Sequence, residues 1–223
     1  IFRRDGRDVV MVQAALAGAR EAPIYAMLAA RARLDGSGIE TRLRGQPRSP
    51  DGPVLLWHGE WEITYTTFRD MGLAFLGAFA LIYAIAVAHF GRLALPLVVM
   101  MPVPLTLLGV FAGHAATGTT FTATSMIGFI ALAGIVVRNS ILLVEFTEAR
   151  RAEGRGADAA ALEAGAVRMR PILLTATTAM VGALFIMSDP IFAGLAVSLF
   201  FGLISSTLLT VLAVPAVYVW RRA

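Results

Sequence analysis

The sequence predicts a membrane protein, mainly α, in which five transmembrane helices are preceded by a partial βαβ piece. Three observations carry that prediction. Of the 223 residues, 57% are hydrophobic and 15% charged, with a mean hydropathy of +0.73, a balance foreign to a soluble domain of this size. Five apolar segments follow one another, and a helix needs ~20 such residues to cross a bilayer. The arginines fall on alternate connections between those segments.

Residues 1–65 contain no span and form the first predicted domain. The chain opens Ile1-Phe2-Arg3-Arg4, with no initiator methionine and no signal peptide ahead of segments that need export. A fragment is therefore expected. DVVMVQAAL, Asp8 to Leu16, is rich in β-branched residues and reads as a strand; Arg20 to Leu34 reads as a helix with Ile24, Leu28 and Met27 toward one face. A turn at Asp35-Gly36-Ser37-Gly38 leads to IETRLR, which alternates as a strand does. Gly45 to Pro53 is then a loop. VLLWHGEWEITYTTF leads toward the membrane, with Trp57 and Trp61 at interfacial depth.

The second predicted domain, residues 66–223, holds spans at about 71–90, 93–112, 121–146, 171–187 and 191–220, with a linker over 147–170. Arg92, Arg150, Arg151, Arg155, Arg168, Arg170, Arg221 and Arg222 lie on one side, and the two opposite loops carry no arginine. That side is cytoplasmic by the positive-inside rule. Five crossings then place the amino-terminal piece outside and the carboxyl terminus inside. The linker reads as a turn followed by an alanine-rich helix with Leu162, Ala166 and Met169 toward one side, either lying on membrane lipid or serving as a solvated connector.

Composition also excludes. The chain has no cysteine, which removes disulfides, thiolate metal sites and cysteine nucleophiles. A pI near 10.3 does not imply nucleic acid, because the arginines are scattered and no stacking aromatics accompany them. His58, His89 and His114 are far apart at loop or boundary positions, so no metal site is expected from this chain. Met100-Met101 reads as packing in preference to a soft-metal relay. No GxSxG, HExxH or P-loop is present, so neither hydrolysis nor ATP-driven transport is supported and no cofactor is expected.

GIVVRNSILLVEF, Gly134 to Phe146, places Arg138 and Asn139 inside an apolar run. Arg138 is about 12 Å from the Phe146 end at 1.5 Å per residue, hence near mid-bilayer. A charge there costs at least ~2.5 to 3.5 kcal/mol and demands a partner. Glu145 shares its face but lies ~10 Å away along the axis, and the other spans hold no internal acid. Asn139 is the adjoining supporting polar residue, while Ala131, Gly134 and nearby Gly128 allow close approach of another helix. In RMRPILLTATT, Pro171 suits a first helical position, and Arg168 and Thr175, seven apart, share a face. For Arg168 and Thr175 a functional and a merely structural role stand level. For Thr177, Thr178, Arg170 and Ser205-Ser206-Thr207 the preferred reading is structural, with hydroxyls bonded to their own backbone and arginine as anchor.

GEWEITYTTFRDMGLAF, PLVVMMPVPLTLLG, FTATSMIGFIALAGIVVRNSILLVEF, AGAVRMRPILLTATTAMVG and STLLTVLAVPAVYVW, in that order, resemble the carboxyl-terminal end of resistance-nodulation-division (RND) efflux permeases. The resemblance runs from about residue 8 to the end. It implies the last five of twelve helices, preceded by the final part of a periplasmic pore-domain subdomain. It further implies an inner-membrane homotrimer that exchanges protons for exported substrate, joined to a periplasmic adaptor and an outer-membrane channel. Arg138 matches the lysine of the family's proton relay, Arg168 its arginine and Thr175 its threonine. The two relay aspartates belong to the amino-terminal half, which these residues do not include. Arginine in place of lysine is a departure, because a guanidinium does not release its proton. Three function classes follow: part of a proton-coupled exporter, a non-transport assembly or protein-translocation subunit of the same superfamily, and an intramembrane enzyme, for which no nucleophile or metal constellation is present.

Overall fold

The computed structural model describes residues 2–4, 6–14, 23–34, 36–43, 45 and 52–220. The chain divides into two compact units, Ile1–Thr67 and Phe68–Ala223.

In the first unit, β1 (Phe2–Arg4) and β2 (Arg7–Val9) form an antiparallel hairpin with Arg4 opposite Arg7. The turn contains Gly6 at φ 79°, which suits the Asp-Gly sequence there. Helix α1 spans Pro23–Leu34, and proline suits a first turn because its missing N–H has no intrahelical partner to lose. Met27 carries its burial while Leu28 faces out. β3 (Glu40–Arg42) pairs in parallel with β4 (Val54–Leu56), Glu40 opposite Val54.

The predicted order of strand, helix and strand is present, but the pairing differs. Among the described residues the strands flanking α1 do not pair with each other. The Asp-Gly turn commits β2 to β1, and β3 takes β4 from a segment expected only to lead toward the membrane. The expected Asp8–Leu16 strand ends at Val9; Val10 to Gln13 are exposed outside any strand, and Ala15 and Leu16 lie outside the described residues. Arg20 to Ala22, the expected start of α1, also lie outside them.

Helix α2, Glu60–Phe90, has 31 residues, about 46 Å at 1.5 Å per residue, and so exceeds the ~30 Å hydrocarbon layer. Glu60 and Glu62 in its first turn complement the positive end of the helix dipole, which explains a start well before residue 71. Helices α3 (Leu95–Met100) and α4 (Pro102–Thr117) meet at Met101, where Pro102 and Pro104 remove two backbone donors. Helix α5 covers Ala123–Ala152 and α6 covers Ala157–Ile186. Helix α7, Ala193–Leu208, continues through a π-helical segment, Leu209–Ala213, into α8, Val214–Trp220. Five of these stretches are long and apolar enough to cross a membrane: 60–90, 95–117, 123–152, 157–186 and 193–220.

The turn and alanine-rich helix expected over 147–170 are present, but both are continuous with the neighbouring spans. Helix α5 runs on to Ala152, a turn with Gly154 at φ 90° follows, and α6 begins at Ala157. Pro171 therefore lies inside α6 and not at its start. The alanine-rich sequence ahead of it has enough helix propensity to continue across the one backbone bond that proline removes. Leu162, Ala166 and Met169 do share an exposed side, opposite buried Ala160, Ala161 and Ala164.

The core lies where α4, α5 and α7 meet, around Val110, Leu132, Val136 and Leu203, with Val99 of α3 joining it. Gly109 and Gly113, four apart on α4, sit directly on Ser205 and Phe201 of α7. Gly202 on α7 is covered by Leu132 and Val110. Helices in lipid gain little from burying apolar surface, so backbone proximity at such small residues supplies the van der Waals attraction. Met100 is buried in this core.

Candidate functional site

Helix α5 presents two unlike faces. Gly128, Leu132, Val136, Ser140, Leu143 and Thr147 are buried. Ala131, Gly134, Arg138 and Glu145 lie together on an exposed face. Spacings of three, four and seven residues align them. Arg138 makes no hydrogen bond or ion pair with any described residue, and Asn139 beside it is half-buried. An added Cβ at Gly134 meets nothing within 4 Å, whereas one at Gly128 would lie 2.7 Å from the Leu195 carbonyl. Among the described residues, the close approach expected of both glycines is made at Gly128 and not at Gly134.

Arg168 lies elsewhere. Its guanidinium stands 5.3 Å from the centre of the Phe146 ring, which Arg150 also covers at 4.9 Å. Arg168 is half-buried, and its Nε has no hydrogen-bond partner among the described residues. Phe146 is about 12 Å along α5 from Arg138 at 1.5 Å per residue. Thr175 is seven residues further along α6, which returns antiparallel to α5 through a short turn, so it comes back ~10 Å toward the depth of Arg138. Its side chain is exposed, and its hydroxyl donates to the Pro171 carbonyl at 3.1 Å and the Ile172 carbonyl at 2.9 Å. Helices α5 and α6 pack together, but no hydrogen bond or ion pair joins Arg138 to Arg168 or Thr175. Three further hydroxyls bond their own helices, Thr177 to Leu173 at 2.7 Å, Thr178 to Leu174 at 3.0 Å and Ser206 to Leu203 at 3.1 Å, whereas that of buried Ser140 has no partner among the described residues.

Two polar clusters were not foreseen from sequence. At the arginine-bearing end, Tyr218 of α8 donates to Glu148 of α5, and Arg151 reaches both Tyr218 at 3.4 Å and Glu148 at 3.8 Å. Arg92 approaches the same carboxylate at 3.9 Å. At the opposite end, His114 is 5% exposed although it was expected at a boundary. Its Nδ1 donates to the Thr119 carbonyl at 3.0 Å, and Nε2 shares a bond with the Ser198 hydroxyl at 3.1 Å. Charge clustering near residue 148 was a signal for the first. The second depends on how α4 and α7 face each other. Among the described residues no group of three or more His, Asp or Glu is placed to hold a metal ion.

Five long apolar helices, with α4, α5 and α7 packed through small residues and arginines gathered at one end, define a multi-pass membrane protein. A family model described as the AcrB/AcrD/AcrF family matches residues 27–222. The chain belongs to that family, the RND efflux permeases. It is 42% identical over 159 residues to the swarming motility protein SwrC of Bacillus subtilis, covering 68% of this chain and 15% of that protein. It is 28% identical over 184 residues to the cobalt-zinc-cadmium resistance protein CzcA of Cupriavidus metallidurans, covering 80% of this chain and 17% of that protein. A crystal structure of a heavy metal efflux pump superposes with a TM-score of 0.74 at 26% identity, covering 91% of this chain and 20% of that one. The chain thus spans about a sixth of the length of such relatives.

Proposed function

We propose that this chain is the carboxyl-terminal part of a proton-coupled efflux permease that exchanges protons for exported substrate across the inner membrane within a tripartite system. One observation carries the reading: Arg138 stands at mid-span on an open helix face with no ion-pair partner among the described residues, in a chain of an efflux family. A guanidinium in that position needs carboxylates from outside the chain. The face that holds it, with Ala131 and Gly134, is narrow enough for another helix to come close. The amino-terminal half of the permease supplies that helix and its relay aspartates.

In this reading Arg138 is a fixed countercharge, since arginine does not titrate, and the aspartates alone take up and release protons. Thr175, at similar depth, and Arg168, nearer the arginine-bearing end, line the route. That end is cytoplasmic and the Ile1–Thr67 unit periplasmic. The partners are a homotrimer of the permease, a periplasmic adaptor, an outer-membrane channel and membrane lipid. The relatives' names include metal and drug resistance, which favours export over a non-transport assembly role.

The test is export of Co²⁺ and of ethidium, in parallel, by the complete permease in proteoliposomes under a pH gradient. Arg138→Ala is expected to abolish coupled export of whichever is carried, because stranded acids are driven to their protonated form. Arg138→Lys keeps substantial activity, and Thr175→Ala has a milder effect than loss of either arginine. Export by Arg138→Ala equal to the parent at matched protein content would overturn the assignment.

A further inference from the structure

At the arginine-bearing end most carboxylates are held by guanidinium groups. Glu148 has Arg92 at 3.9 Å, Arg151 at 3.8 Å and the Tyr218 hydroxyl. Glu153 has Arg150 at 2.8 Å, and Glu163 has Arg150 at 3.2 Å and Arg155 at 3.4 Å. An acid beside such a cation favours its charged form, and the cation never gives up a proton. Each of these carboxylates thus has an arginine partner.

Glu145 is different. Its ion-pair partner among the described residues is an imidazole: Nε2 of His89, in the last turn of α2, lies 3.9 Å from its Oε1. That separation is too long for a hydrogen bond. Both side chains are 52% exposed. Glu145 also lies on the open face of α5 that carries Arg138, seven residues on, with half-buried Leu142 between them. Of the other charged or titratable groups at this end, Arg92, Glu148, Arg151 and Tyr218 are engaged with one another, Arg150 and Arg155 with Glu153 and Glu163, and the Phe90 ring stands edge-on to His89 at 4.9 Å.

We propose that His89 and Glu145 form the proton-release station of the permease, taking each proton that leaves the Arg138 region and handing it to the cytoplasm. The inference rests on the proton-coupled reading above and deepens it. The proton arrives through water from a carboxylic acid opposite Arg138, and that acid is left as carboxylate. It forms an N–H bond at Nε2 of His89, giving an imidazolium whose charge Glu145 balances. The same bond then breaks, the proton passes to bulk water, and the imidazole is regenerated. One proton enters and one leaves, with no redox change.

The complete permease in proteoliposomes tests this, with Co²⁺ and ethidium as exported probes, the pH of both compartments shifted together so that the gradient stays fixed, and a separate series in which the gradient is removed. Parent export is expected to slow as that pH falls, because an imidazole that already carries its second proton cannot accept a further one. His89→Gln, which cannot titrate, loses this dependence and slows toward the ~10²-fold that a positioned proton-transfer group contributes at the low end. Glu145→Gln weakens the same dependence, and neither variant changes KM for the exported probe. Unchanged rate and pH profile in both variants, with the parent proton-coupled, overturn the release station alone. A parent that exports neither probe, or exports it regardless of the gradient, overturns the proposed function and this inference with it.

Discussion

A methyl group added at Gly113 would stand 2.4 Å from Cγ and 2.5 Å from Cβ of Phe201. Cβ is fixed to its backbone, so relief requires α4 and α7 to separate. Gly113→Ala is therefore expected to destabilise the helical unit by about 1 to 3 kcal/mol, the range for overpacking, read as a lower thermal midpoint in detergent. Gly134→Ala provides the contrast, since its added carbon meets nothing within 4 Å. Its effect on the same midpoint should stay within ~0.5 kcal/mol, as at an ordinary surface position. Equal losses at the two sites would show that close approach at Gly113 does not govern the packing. Arg138 belongs to the same scale: one side chain, exposed beside Gly134, is the group whose placement this chain alone does not explain.

The π-helical segment Leu209–Ala213 is an element with a cause. Pro215 follows it, and in a regular helix its ring would meet the carbonyl of Val211, four residues back. Widening the turn removes the clash, and one extra residue per turn rotates everything beyond it by roughly 100° relative to a regular helix. That rotation helps bring Tyr218 to Glu148 and Arg151. Pro215→Ala is expected to let the helix regularise and swing position 218 away. The cysteine-free chain makes this measurable by disulfide formation between cysteines placed at Tyr218 and Glu148. Crosslinking should be efficient with Pro215 and poor with Pro215→Ala; equal yields would mean that packing of α8, not proline, sets the register.

For the whole molecule, charge decides orientation. Arg92, Arg150, Arg151 and Arg155 are gathered at one end of the helical unit, where they pair with Glu148, Glu153 and Glu163. The opposite turns, around Thr117 and Ser188, carry no arginine or lysine. Such an asymmetry is the basis for proposing that the cationic end faces the cytoplasm. A cysteine at Thr117 or Ser188 should react with a membrane-impermeant maleimide in intact spheroplasts, and one at Arg155 only after permeabilisation. Reversed labelling would invert the orientation and place the proposed proton exit on the wrong side.

The sequence by itself determined that there are five long helices and where the arginines cluster, because a backbone in lipid must satisfy its own hydrogen bonds and apolar runs of sufficient length therefore become helices. It also marked Arg138, since a charge in such a run stands out without any knowledge of neighbours. It did not determine which faces meet. Gly134 and Gly113 look alike in sequence, yet one is open and the other lies on Phe201, because contact depends on the rotation and depth of two helices at once. The same holds for His89 beside Glu145 and for His114 beside Ser198, residues far apart along the chain. Pro171 reads as a helix start by local preference, but the alanine-rich stretch before it carries the helix through. In the first unit, short strands of weak periodicity left pairing to a turn and to available edges, so β1 took β2 and β3 took β4. Local hydrophobicity and charge fix what each segment becomes; only the tertiary structure fixes which side chains meet, since that is a property of pairs of segments.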